Sequence, residues 1–153
     1  MGYTHYYEID TNKYEIDMYE ELLPTVKKLV SYNQKHNLQG HITGWDGDTA
    51  TEPEFTDERI AFNGVYPHSC ESFIITSEPE VNWEGGLALG FCKTRGIGYD
   101  ALVCAVLIAM KDHYGDAVLV SSDGSWEDWS AGAAMYEAVM GHPAECPFTK
   151  IVN

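Results

Sequence analysis

Positive charge is scarce in this chain. Nine Lys and Arg stand against 24 Asp and Glu in 153 residues, a formal net charge of −15 with His neutral. Binding to a phosphate backbone works through Lys and Arg and the counterions they release, so this balance argues against direct nucleic-acid binding. Cysteine is sparse as well. Four thiols, Cys70, Cys92, Cys104 and Cys146, with no leader pattern ahead of them, read as free cysteines and not as a disulfide framework. No apolar run approaches the roughly 20 residues of a membrane span, and Met1 is followed by polar and aromatic residues where a secretory leader has a basic and then an apolar stretch. The expectation is a cytoplasmic chain that makes no use of a membrane.

What is present suffices for a core. The hydrophobic fraction of 44% is that of an ordinary globular protein, and 12% aromatic residues set the chain apart from disordered sequences. At this length one domain, residues 1–153, can bury a core without structural metal or disulfide, and no cofactor is called for. The same apolar content is generous for a monomer, which points to a homodimer. Acid is unevenly spread. Residues 46–84 carry ten carboxylates, among them Asp46, Asp48, Glu52 and Glu54, against Arg59 alone. Such a surface could attract a basic protein partner, or it could simply be a solvated face.

Local patterning gives an order of elements. Residues 3–9 alternate as a strand that separates Thr4, Tyr6 and Glu8 from His5 and Tyr7. Leu22, Val26, Leu29 and Val30 recur at helical spacing, predicting a helix over about 20–36, with Asp17 and Glu20 as a possible capping box and Pro24 as a kink. Residues 43–58 read as an acidic surface insertion, followed by a hairpin from residues 60–65 and 72–77. A compact apolar strand at 87–91, a helix at 99–114 apolar on nearly every side, and a β-branched strand at 117–120 then form a β-α-β unit over 87–120. Ser125 with Asp128 can open a last helix, Gly141 can end it and Pro143 keeps it from continuing. The fold class is α+β: one mixed sheet of about five strands with about three helices. The handedness rule for parallel connections lays the strands of the β-α-β unit side by side.

That unit locates a candidate site. Loops 92–98 and 121–124 leave the same end of the sheet, each before a helix, where open α/β sheets bind ligands and where backbone N–H groups and the helix dipole favour anions. Lys93 and Arg95 flank Thr94, and Ser121, Ser122 and Asp123 offer hydrogen bonds from the neighbouring loop. His5 and Asn63 join them if their strands lie alongside. The ligand this chemistry suggests is a small nucleotide-like or other anionic molecule. The plainer reading is a glycine-rich turn whose cations neutralise Asp100 or Asp123. The loop matches neither a P-loop nor a dinucleotide fingerprint.

Two further chemistries are conceivable. Cys92, near a helix start and two cations, could be a nucleophile, although spacing assigns it no base. His68 with Cys70 and His142 with Cys146 could each supply two zinc ligands, although their spacings fit no zinc pattern. Cys104, inside the apolar helix, reads as core. Neither chemistry assigns a catalytic residue or a metal ligand.

The segments Gly2 to Tyr6, Phe62 to Gly64, Phe91 to Thr94, Tyr99-Asp100 and Ser121 to Gly124 resemble those of a group of small uncharacterised bacterial and bacteriophage proteins. The resemblance spans most of the chain in short pieces and implies a phage accessory or anti-defence role, without supplying a catalytic residue. This chain departs from that group by Tyr7 after the shared opening and by a shorter middle. Three functions compete at this point: a non-enzymatic binding protein for the anionic ligand, an acidic polyanion mimic that inhibits a host nucleic-acid-binding protein, and an enzyme using Cys92 or a bound zinc.

Overall fold

Alternation along the first strand separates its two faces as expected: His5, Tyr7 and Ile9 are buried while Tyr6 is exposed. The computed structural model describes residues 3–45, 47 and 51–148 of the chain. Among these the elements run β1 (Thr4–Asp10), α1 (Ile16–His36), β2 (Ile42–Thr43), β3 (Glu54–Phe55), β4 (Arg59–Gly64), β5 (Phe73–Thr76), β6 (Leu87–Lys93), α2 (Asp100–Tyr114), β7 (Val118–Ser122) and α3 (Ser130–Met140). The α+β class with three helices is thus the observed one. The single mixed sheet of about five strands is instead two sheets containing seven strands, and every ladder between them is antiparallel.

The first sheet has the order β6-β1-β7. Strand β1 is antiparallel to both neighbours, with His5 opposite Cys92 on one side and Ser122 on the other. The β-α-β unit at 87–120 is therefore present with its outer strands parallel, but split, because β1 occupies the place between them. The expectation that β6 and β7 pair directly is corrected on that ground. A strand from the chain's start fills the slot and converts one parallel pairing into two antiparallel ones, which are slightly more stable per residue.

The second sheet is centred on β4, which pairs with β2, β3 and β5. Both β2 and β3 run antiparallel to β4, Ile42 opposite Gly64 and Glu54 opposite Ala61, so the chain leaves β4 after Thr43 and returns to it at Glu54. The acidic insertion expected at 43–58 is correspondingly narrower. Its last residues form β3 and a turn, and a bidentate pair holds them, with Arg59 Nε and Nη2 each 2.6 Å from a Glu54 carboxylate oxygen. Asp46 and residues 48–50 lie outside the described residues.

Helix α1 begins four residues before the expected start and carries Pro24 in its interior. No side-chain cap forms at its N-cap Glu15, so the Asp17–Glu20 box is not what starts it. Packing overrides the proline: Tyr19, Leu22, Leu23, Val26 and Leu29 are all buried on one face, and each such side chain contributes about 1.5–3 kcal/mol. Helix α2 meets α1, α3 and β7, which is why residues 102–110 are buried without a polar face. Gly132 sets the α2–α3 crossing. A Cβ there would fall 2.4 Å from Cys104 Cβ and 2.9 Å from the Ala101 carbonyl oxygen, so only glycine permits the approach. Gly141 ends α3 at φ 77°, in the left-handed conformation expected of it. Among the described residues no helix is long and apolar enough to cross a membrane.

Candidate functional site

Because β6 and β7 are parallel, both end where β1 begins, and three chain segments meet at that corner. Backbone bonds hold them together: Thr94 and Arg95 donate to the Tyr3 carbonyl at 3.1 and 3.3 Å, and Asp123 donates to the Thr4 carbonyl at 3.0 Å. Arg95 adopts a φ of 57°, an uncommon conformation for a residue other than glycine, and Gly96 follows it at 70°. This turn returns the chain into α2 and points Thr94 inward.

The centre of the corner is His5, which is fully buried. Its Nδ1 lies 2.7 Å from Ser122 Oγ and its Nε2 lies 2.6 Å from Asp100 Oδ1. The partners of Ser122 decide the tautomer. Its Oγ accepts the Gly124 N–H at 2.9 Å and the Trp129 Nε1–H at 3.2 Å, which occupies both lone pairs. The hydroxyl must then donate to Nδ1, so Nε2 carries the ring proton and donates it to Asp100. Thr94 Oγ1 donates to the same carboxylate oxygen at 2.5 Å and itself accepts the Gly96 N–H at 3.1 Å. Tyr3 and Trp129 clamp the imidazole edge-on, with ring centroids at 5.1 and 4.8 Å. Phe148 stacks edge-on against Trp129 at 4.9 Å and closes the network from outside.

Cys104, read as core, completes this corner. Its Sγ is 3.6 Å from both His5 Nε2 and Asp100 Oδ2. Burial, then the neighbouring Asp100 carboxylate, pushes this thiol well above its ordinary pKa, so it stays protonated. Burial first, and Asp100 next, also raises the Tyr3 phenol. The serine-histidine-aspartate order invites comparison with hydrolases, but Ser122 Oγ already accepts two hydrogen bonds and faces a fully buried ring. Its arrangement suits a fixed relay better than an exposed nucleophile.

Of the residues singled out from the sequence, the structure brings together His5, Thr94 and Ser122. Asp123 lies beside them: its carboxylate accepts the Thr4 N–H at 3.0 Å and the Tyr6 hydroxyl at 3.5 Å. Lys93, Arg95 and Ser121 stay on the periphery, Arg95 and Ser121 exposed and Lys93 half-buried. Among the described residues neither Lys93 nor Arg95 forms an ion pair with Asp100 or Asp123. Asn63 does not join. It sits in the second sheet, where its amide bonds the Trp45 and Cys70 carbonyls and accepts the Gly64 and Cys70 N–H groups. Asn63 lines a separate groove of about 570 Å³ with Trp45 and Phe91.

Cys92 is fully buried, donates to the Glu71 carbonyl at 3.4 Å, and has its pKa raised by that burial, so it is no nucleophile. Neither His68 with Cys70 nor His142 with Cys146 belongs to a group of three or more such ligands among the described residues. Among the described residues one group of His, Cys, Asp or Glu side chains is close enough to share an ion, and it is His5, Asp100 and Cys104. The sequence signal for it was the Asp-Cys spacing of four at the start of an apolar helix, which sets both side chains on one face.

Several backbone donors at this corner are used within the chain. Lys93 N–H bonds Glu71 Oε1 at 2.8 Å, Thr4 N–H bonds Asp123, and Ser125 N–H bonds Asp128 Oδ2 at 2.8 Å. These internal bonds pull the Asp128 carboxyl below its usual range. An anion arriving here meets four carboxylates, Glu71, Asp100, Asp123 and Asp128. Beside the corner opens a cleft of about 430 Å³, walled by Tyr32 and His36 of α1, Asp128 and Ala134, with Met135 and Asp100 also in its lining. Comparison with protein-family models, with curated protein sequences and with solved structures finds no match for the chain.

Proposed function

We propose that the chain is a binding protein for a small molecule carrying a protonated amine, taken into the cleft between the end of α1, the loop at residues 94–99 and α3. The observation that carries this reading is Asp100. Its side chain is only 13% exposed, it borders the cleft, and its one ion-pair partner among the described residues is a buried histidine whose tautomer is neutral. Asp128 contributes a second carboxylate to the same wall, and Tyr32 an aromatic face of the kind that attracts cations. The binding-protein class is the one expected from the sequence, but the sign of the ligand is reversed. Lys93 and Arg95 stand outside this cleft, and the backbone donors beside them are satisfied within the chain, by Glu71, the Tyr3 carbonyl and the Thr94 hydroxyl.

The test is a thermal-shift and calorimetric titration with small aliphatic and aromatic amines, set against carboxylates and phosphates of matching size. Amines should raise the melting temperature of the wild-type chain, by an amount equivalent to about 2.7 kcal/mol at a hundredfold excess over Kd. Asp128→Asn should weaken them about tenfold, and Ala134→Leu, which fills the cleft from an exposed wall position, should abolish them. Preferential binding of the anions, or amine affinity untouched by Ala134→Leu, overturns the reading.

A further inference from the structure

We infer that His5, Asp100 and Cys104 form a binding site for one divalent transition-metal ion of tetrahedral preference, with zinc the best match. The inference goes beyond the amine-binding reading, with which it shares only Asp100. Their donor atoms all lie within 4.8 Å of one another. A tetrahedral zinc with bonds of about 2.3 Å to sulfur and 2.0 Å to nitrogen or oxygen separates sulfur from each of the other ligands by roughly 3.5 Å. Cys104 Sγ stands 3.6 Å from His5 Nε2 and 3.6 Å from Asp100 Oδ2, so both sulfur edges of the tetrahedron are in place. With Oδ2 as the Asp100 ligand atom, the 2.6 Å hydrogen bond from Nε2 to the other carboxylate oxygen, Oδ1, is the contact given up when the ion replaces the proton.

The scaffold is rigid where a metal site needs it to be. Asp100 and Cys104 are one turn apart on a buried helix, and His5 is fixed by pairing on both sides of β1. Asp100 and His5 are also held from behind. Thr94 Oγ1 orients the Asp100 carboxylate, and Ser122, itself tied to Gly124 and Trp129, orients the ring through Nδ1. Such outer partners fix the imidazole and typically account for tenfold to a hundredfold in metal affinity. Cys104 is otherwise unexplained: a thiol on the apolar helix aimed at a histidine and a carboxylate, contributing only two weak contacts at 3.6 Å. Three protein ligands leave a fourth position for water, the number seen in catalytic zinc sites.

The proton balance follows from the tautomer. The Cys104 thiol loses its proton to solvent on becoming a thiolate. His5 gives up its Nε2 proton to bind the ion and takes one at Nδ1, so the ring stays neutral and one proton is released per metal bound. Nδ1–H then donates to Ser122, whose own hydroxyl proton turns away and displaces the longer accepted bond, that from Trp129 at 3.2 Å.

The experiment is stripping of the purified chain with a chelator, followed by addition of one equivalent of zinc with native mass spectrometry. Cobalt is added in parallel, with absorbance read for a thiolate-to-cobalt charge-transfer band. The wild-type chain and Cys146→Ser should each retain one ion and show the band. Cys104→Ala, which keeps the Cβ packed against Gly132, should lose at least tenfold in zinc affinity and the band entirely, with circular dichroism checking its fold. Absence of stoichiometric zinc and of the charge-transfer band in the wild-type chain overturns the inference whatever the variants do. So does a Cys104→Ala chain that binds zinc as the wild type does. Cys104 does not line the cleft and Ala134 is none of the three ligands, so loss of amine binding in Ala134→Leu and loss of zinc binding in Cys104→Ala report on separate proposals.

Discussion

Ser122→Ala probes the corner most directly, because one oxygen atom there serves three partners. Its removal leaves His5 Nδ1 without a donor and the Trp129 Nε1–H without an acceptor, and both side chains are fully buried, so water replaces neither bond. A buried polar group left unpaired costs about 1–3 kcal/mol. Two of them give about 2–6 kcal/mol, and the Gly124 N–H, which is half-buried, adds little. In a chain of this size each kcal/mol lowers the melting temperature by roughly 2–4 °C. The expected shift is therefore roughly 4–24 °C, measured by urea denaturation and thermal melts of wild-type and variant chains. Trp129→Phe removes the other end of the same bond, so the double variant should lose about 1 kcal/mol less than the sum of the single variants. Nitrogen NMR of the His5 ring checks the tautomer, with Nε2 protonated and Nδ1 bare. A loss under about 0.5 kcal/mol, strict additivity with Trp129→Phe, or a proton on Nδ1 would refute the reasoning.

Two further perturbations test the frame around the site. Gly132→Ala places a methyl group against Cys104 and the Ala101 carbonyl and should cost about 1–3 kcal/mol through overpacking, read from the urea midpoint; an unchanged midpoint would show that α2 and α3 separate freely. Alkaline pH attacks the core through its tyrosines. Burial raises Tyr14 and Tyr19 to about 12 and raises Tyr7, Tyr99, Tyr114 and Tyr136 further. These groups bind their protons more tightly when folded, so their contribution is intact below pH 10 and is lost as pH rises from the unfolded value near 10 towards the folded ones. Melts across that window should fall steadily, with the tyrosinate absorbance of these six appearing together with unfolding; any of the six titrating near pH 10 in the folded chain, resolved by Tyr→Phe variants, would contradict the burial assigned to it.

Much of the fold was legible because its signals are local. The alternation of β1, the apolar run of α2 and Gly141 each act within a few residues, and the structure has these three where the pattern puts them; the Ser125–Asp128 pair forms, but it opens the short turn at Glu127–Trp129, and α3 itself starts at Ser130 with no side-chain cap. Ser125 bonds Asp128 through both N–H and hydroxyl, at 2.8 and 3.0 Å. The place of β1 was not legible. Chain connectivity requires β6 and β7 to run parallel, but nothing in residues 87–120 records that a strand eighty residues earlier lies between them. Misplacing β1 also hid the site. With the loops taken as direct neighbours, Thr94 and Ser122 look like two walls of an anion pocket and Asp100 looks like a counterion for Lys93 and Arg95. With β1 between them, they become the two supports of His5. Cys104 was missed for a related reason: in a helix with no polar face, one thiol is indistinguishable from core until the residue facing it is known.

The chain's acidity bears on the ligand in the same way. A net charge of −15 describes the whole surface, but the corner uses particular carboxylates for particular donors. Glu71, Asp123 and Asp128 each accept a backbone N–H at a strand end or turn. In anion-binding folds those donors face the ligand, and here they are consumed internally. Asp100 differs from the three, all of them exposed, in being held by two fully buried side chains, His5 and Thr94, while bordering the cleft. It is the carboxylate of the corner that buried donors order beside space for a guest, with the exposed Asp128 on the same wall. An arriving cation gains from that order without having to organise the carboxylate itself, because His5 and Thr94 have already fixed it. Loosening the order should weaken the guest even where contacts are untouched. Thr94→Val, which keeps shape and removes one hydrogen bond to Asp100, should therefore reduce amine affinity although Thr94 does not line the cleft. An affinity equal to that of the wild-type chain would mean that Asp100 is positioned without it.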